Sequence, residues 1–438
     1  MENTTVFQWK SAGLSTEQVS KSLGKVQSYI EHLRLTAKNT KFEDAEASLA
    51  LPNDLTTITE VDRVRATFES DPLKVIVVIG IGGSNLGTRA VYQALGQQER
   101  GPQMLFLETL DTDEMQEVCQ TIRLEVSAPN ELVIILISKS GTTTESIANY
   151  EALRESLDRD ISELNDRTVA ITDEGSALWK VAGEKGMRRL HVPAKVGGRF
   201  SVLSAVGLFP LALAGFDCEG LLRGARQALE ENLSAGPEDL QGPARILAAL
   251  QFQHARDGRR VHNSFVFRPA LKEIGLWHRQ LMAESLGKAV NDHDTVVHEG
   301  VLPIISVGTT DLHSVGQLFF GGPRTILTTF LFAPARERES HRVPNTTELG
   351  LVSGIEGKSL EDLQRATYDG VRRAYELEGL PFVNIEFDVL DERALGWYFQ
   401  THMIEIMILA HLMEINAFDQ PGVESYKKET RNLLGGRS

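Results

Sequence analysis

The stretch Lys74-Val-Ile-Val-Val-Ile79 constrains the fold more than any other. A continuous β-branched run with no polar alternation reads as a strand buried on both faces, which implies a parallel sheet covered by helices. Glycines follow at once in Gly80-Ile-Gly-Gly-Ser-Asn-Leu-Gly87. Short apolar runs at 103–107, 131–137 and 167–172 repeat the pattern at helix-length spacing, a βαβ alternation. A helical stretch is expected at 200–214, kinked or cut short by Pro210. Pro237 and Gly242-Pro243 mark a linker. Further strands at 261–267, 303–307, 325–332 and 381–387 then predict a second α/β unit. Residues 1–70 read as amphipathic helices, for example over 17–35, and 401–413 places Met403, Ile404, Met407, Ile408, His411 and Leu412 on one helical face. The expected organisation is a helical arm over 1–45, a first α/β domain over 46–215 and a second over 235–438.

Composition narrows the function. With 438 residues, 42% of them hydrophobic, the chain can build two such domains, and disorder, collagen and coiled coil are disfavoured. A net charge of −15 argues against a general nucleic-acid or anionic-membrane binder. The most apolar window, 202–216, is interrupted by Ser204, Gly207 and Pro210 and falls short of the ~20 residues that a membrane span needs. The first ten residues lack a basic start and an apolar core, so no secretory signal is expected. Cys119 and Cys218 stand far apart and outside any Cys-x-x-Cys pattern, which suits a reducing cytoplasm.

Six segments carry residues suited to chemistry. The loop 80–87 follows a buried strand, but Asn85 replaces the third glycine of a dinucleotide fingerprint, and no Gly-Lys-Ser/Thr follows; alone it serves equally as a tight turn or a ligand loop. Ser138-Lys-Ser-Gly-Thr-Thr-Thr-Glu145 packs five hydroxyls, a lysine and a glycine into eight residues, as a phosphate monoester requires. Its structural alternative is a capping box, Thr142 to Glu145. Val196-Gly-Gly-Arg-Phe-Ser201 sets Arg199 in an apolar context where it can stabilise an oxyanion. Gln280 and Glu284, four residues apart, share a helix face, and a screened carboxylate there can act as a base. His313 in Ser306-Val-Gly-Thr-Thr-Asp-Leu-His-Ser314 is a proton shuttle or a structural histidine. Near the C-terminus, Phe418-Asp-Gln-Pro-Gly-Val-Glu-Ser-Tyr-Lys-Lys428 is by itself a turn into a charged helix. Asp292, His293, Asp294, His298 and Glu299 lack helical metal-ligand spacing and read as a solvated loop.

Together these segments resemble the glucose-6-phosphate isomerase (phosphoglucose isomerase) family, bacterial type. Val196 to Gly207 and Ile415 to Lys427 look like its two long signatures, and the segments beginning at Gly80, Ser138, Ala283 and Gly308 match in order. The resemblance implies two sugar-isomerase (SIS) domains in a homodimer with shared active sites, acting on a sugar phosphate in glycolysis and gluconeogenesis. Position by position it implies phosphate contacts from Ser138, Lys139, Ser140, Thr142 and Thr143, sugar contacts from Gly83 and Ser84, and a substrate amide from Gln280. Glu284 would move the proton between C2 and C1, Arg199 would stabilise the intermediate, Lys427 would assist at the ring oxygen, and His313, reaching in from the partner subunit, would open the ring. No hydride leaves the substrate in such a reaction, so neither a nucleotide cofactor nor a catalytic metal is expected. Ser140 stands where longer members carry threonine, and Thr-Thr-Asp-Leu precedes His313 where others have Thr-Asn-Gly-Gln; neither change removes a reactive group. Two alternatives remain open: a dual phosphoglucose/phosphomannose isomerase, and a non-catalytic sugar-phosphate sensor.

Overall fold

The computed structural model describes residues 5–96, 101–157, 161–234, 240, 242–335 and 341–435. It opens on a strand, β1 (Thr5–Gln8), where an all-helical arm is expected, followed by the helices Thr16–Leu23 and Gln27–Thr36. The strand β1 alternates half-buried and exposed residues and gains its order from tertiary pairing, so no local apolar run announces it.

The first sheet holds β2 (Val75–Ile79), β3 (Gln103–Leu107), β4 (Leu132–Ile137), β5 (Thr168–Thr172) and β6 (Arg188–His191), all parallel in the order β3-β2-β4-β5-β6. Every residue of β2, β4 and β5 is buried, as runs without charged residues, wholly apolar in β2 and β4, allow. The hairpin β8 (Lys288–Val290) and β9 (Val296–Glu299) stands apart from a second sheet built of β7 (Val261–Val266), β10 (Leu302–Val307), β11 (Ile326–Phe332) and β12 (Phe382–Phe387). That sheet runs β1-β12-β11-β7-β10, parallel except for β1, which pairs antiparallel with β12 from Thr5 opposite Phe387 to Gln8 opposite Asn384. The expected α/β class with two parallel sheets between helices is therefore observed, with a short antiparallel edge added by the arm.

Two helices differ from expectation. The 200–214 stretch becomes a 3-10 turn, Gly198–Phe200, and a helix, Ala205–Leu213, that runs through Pro210 to its end. Proline cannot donate to the carbonyl four residues back, and the Thr88 hydroxyl takes that place on Val206 O at 3.3 Å. The 401–413 stretch is the end of a helix, Glu392–Leu412, buried on every face from Ala394 to Ala410 rather than on one stripe. This central helix packs against Cys218–Leu233, Pro243–Arg256 and Lys272–Leu286. Pro243 occupies the first turn of its helix, where the missing N–H costs nothing, whereas Pro237 lies outside the described residues. No described helix is long and apolar enough to cross a membrane.

The closest approach in this helical layer depends on two glycines. A Cβ at Gly396 would lie 1.8 Å from the carbonyl oxygen of Leu221, and one at Gly224 would lie 1.8 Å from that of Arg393, so the helices touch backbone to backbone. Gly370, on the outer helix Leu360–Leu377, has open space around it. Replacing Gly396→Ala should therefore destabilise the protein by about 1–3 kcal/mol or more through overpacking, whereas Gly370→Ala should be neutral or stabilising by up to ~1 kcal/mol. Chemical denaturation of the two variants side by side checks this contrast.

Candidate active site

In the first sheet the chain leaves β2 toward β3 on one side and returns to β4 on the other. Ligands bind outside the carboxyl ends of parallel strands at such a switch point. The loops that emerge there are the two read from sequence, 80–87 after β2 and 138–143 after β4.

The glycine loop is pressed against the arginine segment. A Cβ at Gly83 would lie 2.1 Å from the carbonyl carbon of Gly198 and 2.5 Å from the amide nitrogen of Arg199, so only glycine permits this contact. Ser201 Oγ donates to the carbonyls of Gly83 at 3.2 Å and Gly198 at 2.7 Å, and Asn85 Nδ2 closes the turn on Gly80 O at 2.8 Å. A Cβ at Gly82 would lie 2.8 Å from Gln280 Nε2, which brings the loop against the helix Lys272–Leu286. That helix is held to its neighbour by Arg89, which donates to Glu273 at 3.0 Å and also pairs with Glu108.

Arg199 is the centre of the cluster and is only 4% exposed. Its Nε donates to Ser285 Oγ at 2.8 Å, its Nη1 to Glu284 Oε2 at 3.1 Å, and its Nη2 to the carbonyls of Ala417 and, at 3.1 Å, Asp419. Burial lowers its pKa, and Glu284 and Asp419 oppose that shift. Gln280 Nε2 donates to the other oxygen of Glu284 at 2.8 Å, as their shared helix face predicts. The Glu284 carboxylate is thus fixed by an amide and a guanidinium while its side chain keeps 32% exposure, enough to meet a ligand.

The hydroxyl loop is organised by its own side chains. Ser138 Oγ and Thr143 Oγ1 share a hydrogen bond of 2.9 Å, and Thr142 N donates to Ser140 Oγ at 3.3 Å. The capping-box alternative is not realised: the helix Thr144–Ser156 has Thr143 as its N-cap, and no side chain caps it. Lys139 is half-buried; burial lowers its pKa, and Arg199 and Lys195 push in the same direction against Asp173. Lys139 therefore senses the charge of Arg199, which brings the hydroxyl loop into the electrostatic reach of the Glu284 cluster. Ser140 and Thr142 are exposed and Ser84 is half-buried.

The other two expected residues do not touch this cluster within the chain. His313 ends the 3-10 turn Thr310–His313 after β10, is exposed, and has no hydrogen bond or ion pair among the described residues. Lys427, on the helix Glu424–Leu434, pairs with Glu424 at 3.0 Å. The loop at 291–295 is a solvated turn closed by Asn291 Oδ1, which accepts from His293 N and Thr295 N.

Sequence reasoning missed a brace. Lys288, buried at the end of the Glu284 helix, donates to Glu284 O at 3.0 Å and Asp419 O at 2.6 Å and pairs with Asp419 Oδ1 at 2.9 Å. Burial lowers its pKa, offset by Asp419. The only sequence signal was its position four residues after Glu284.

Two parallel sheets between helices form a fold with solved counterparts. The fold is similar to that of tagatose-6-phosphate ketose/aldose isomerase from Escherichia coli, at a TM-score of 0.53 and 12% identity over 88% of this chain and 97% of that one. The model of the phosphoglucose isomerase family matches residues 56–435, and the chain belongs to that family. It is 32% identical to a glucose-6-phosphate isomerase of Rubrobacter xylanophilus over 91% of each chain, and 31% identical to one of Parabacteroides distasonis over 99% of this chain and 96% of the other. A solved hypothetical protein from Thermus thermophilus superposes with a TM-score of 0.84 at 30% identity, covering 98% of this chain and 100% of that one.

The brace yields a prediction. Lys288→Met keeps the length of the side chain and removes its bonds to the 417–419 turn, so it should cost about 1–3 kcal/mol of stability in urea unfolding.

Proposed function

We propose that this enzyme interconverts glucose 6-phosphate and fructose 6-phosphate, with Glu284 as the base that carries the proton between C2 and C1. The observation that carries the reading is the carboxylate of Glu284, partly open to a cleft and held between Gln280 and the buried Arg199, beside a hydroxyl loop with Lys139. In an open-chain aldose phosphate the C1 carbonyl acidifies the C2 hydrogen. Glu284 takes that proton, an enediolate forms, and the same carboxyl returns the proton to C1. Negative charge grows on the oxygens of the enediolate as it forms, and Arg199 stabilises it without reorganising because its other donors are already committed to Ser285 and the 417–419 carbonyls. Ser138, Ser140, Thr142, Thr143 and Lys139 hold the phosphate, while Gly83 and Ser84 face the sugar.

Ring opening must precede this step. We assign it to His313 and Lys427, with His313 delivered by a second copy of the chain. What supports the assignment is that the His313 side chain is exposed and has no partner among the described residues of its own chain. The enzyme is then a homodimer with composite sites. Free thiols at Cys119 and Cys218 suit a cytoplasmic location.

Glu284→Gln should reduce exchange of the C2 proton with solvent by ~10²–10⁴-fold, with Kd for inorganic phosphate unchanged; an active variant removes Glu284 as the base. His313→Ala should be similarly impaired. Coexpressing the two variants should restore roughly a quarter of wild-type activity, since about half of the dimers are mixed and each has one intact site. No recovery would refute the shared site.

A lysine with a lowered pKa releases its proton earlier as pH rises. Phosphate affinity should therefore decline with rising pH below the usual lysine range of ~10.4, and Lys139→Arg should flatten that decline in calorimetric titrations.

A further inference from the structure

On the side of the Lys272–Leu286 helix that faces the central helix, three histidines and a glutamate are sealed in the interior. They are His262 on β7, His278 on the Lys272–Leu286 helix, and His402 and Glu405 three residues apart on the central helix, none more than 2% exposed. The rings of His278 and His402 lie 4.1 Å apart between centroids, and His262 meets His278 edge-on at 5.3 Å. One donor atom from each of His278, His402 and Glu405 lies within 4.8 Å of the others, and His278 Nε2 is 3.8 Å from Glu405 Oε2.

The hydrogen bonding of the rings follows a single pattern. Each Nδ1 is engaged: that of His262 with Gln251 Oε1 at 2.9 Å, that of His278 with Ser264 Oγ at 3.3 Å, and that of His402 with Glu405 Oε2. Each Nε2 is buried with no hydrogen-bond partner. His278 shows the division of a metal-ligating histidine, with Nε2 unpartnered and Nδ1 held by a polar group; on His402 the nitrogen beside Glu405 is Nδ1, so an ion between them replaces that hydrogen bond. A buried carboxylate needs a counter-charge, and the Tyr398 ring that packs on His278 and His402 supplies none.

We propose that His278, His402 and Glu405 bind one divalent transition-metal ion of the zinc class. Imidazole with carboxylate suits zinc, cobalt or nickel. Bonds of ~2.0–2.1 Å at a tetrahedral centre put donors ~3.3 Å apart, so His278 moves toward Glu405 while His402 and Glu405 separate to admit the ion. The role is structural. His278 precedes Glu284 by six residues, about 9 Å along the helix axis, so the ion touches no reacting atom and instead clamps the helix that carries Gln280 and Glu284 to the central helix.

The test uses the intact protein, produced with zinc in the medium, analysed for metal, then stripped with a chelator and titrated with Zn²⁺ or Co²⁺ alone. Expected are one zinc per chain, a Kd below ~1 μM, visible Co²⁺ ligand-field bands of a nitrogen- and oxygen-ligated ion, and a rise of a few degrees in unfolding temperature. His278→Gln and Glu405→Gln should abolish binding, while the exposed pair His293→Asn/His298→Asn should retain it. Should the buried variants fail to fold, the metal content and Co²⁺ spectrum of the unmodified protein decide. Zinc well below one per chain with no Co²⁺ bands, or binding lost in the His293/His298 variant, would overturn the proposal.

Discussion

The site depends on one buried guanidinium. Arg199 carries its charge into the protein interior, a placement that is costly unless every N–H finds an acceptor. Its acceptors come from two distant parts of the chain: the Glu284 carboxylate and Ser285 hydroxyl on one helix, and two carbonyls of the 417–419 turn. The need to satisfy that charge fixes how the glycine loop, the Glu284 helix and the C-terminal turn meet. Lys288 repeats the arrangement from the opposite side of the same turn. Stability and catalytic geometry are therefore served by the same hydrogen bonds.

Much of this was legible in the sequence. The strands β2, β4 and β5 are buried on both faces, and runs without charged residues, wholly apolar in β2 and β4, said so. Strand β6, with the sequence Arg-Arg-Leu-His, and strand β1 lie at sheet edges, where polar residues are tolerated and hydrophobic periodicity fades. Glu284 and Gln280 were visible because helical spacing alone puts them together. Ser285, Lys288 and Asp419 were not, because what defines them is contact with segments far away in the chain, 86 residues for Ser285 and 131 between Lys288 and Asp419. The histidine cluster was invisible for the same reason: His262, His278 and His402 sit on three separate elements, while the more conspicuous run at 292–299 turned out to be the turn and second strand of a surface hairpin.

The charge balance also takes on a local meaning. The chain is acidic by fifteen charges, yet Lys139, Lys195 and Arg199 lie close enough to depress the pKa of Lys139. In a partly desolvated cleft such a cluster outweighs distant surface carboxylates, which water and salt screen. A small dianion and a long polyanion thus meet different proteins in the same molecule.

The edge strand β1 bears on how the molecule is made. Its only sheet partner is β12, more than 370 residues further along the chain. On the ribosome, Thr5–Gln8 is made well before β12 and can take its place only once β12 has emerged. Until then that edge of the second sheet does not exist, and a nascent chain arrested before Phe382 would lack the pairing that finishes it.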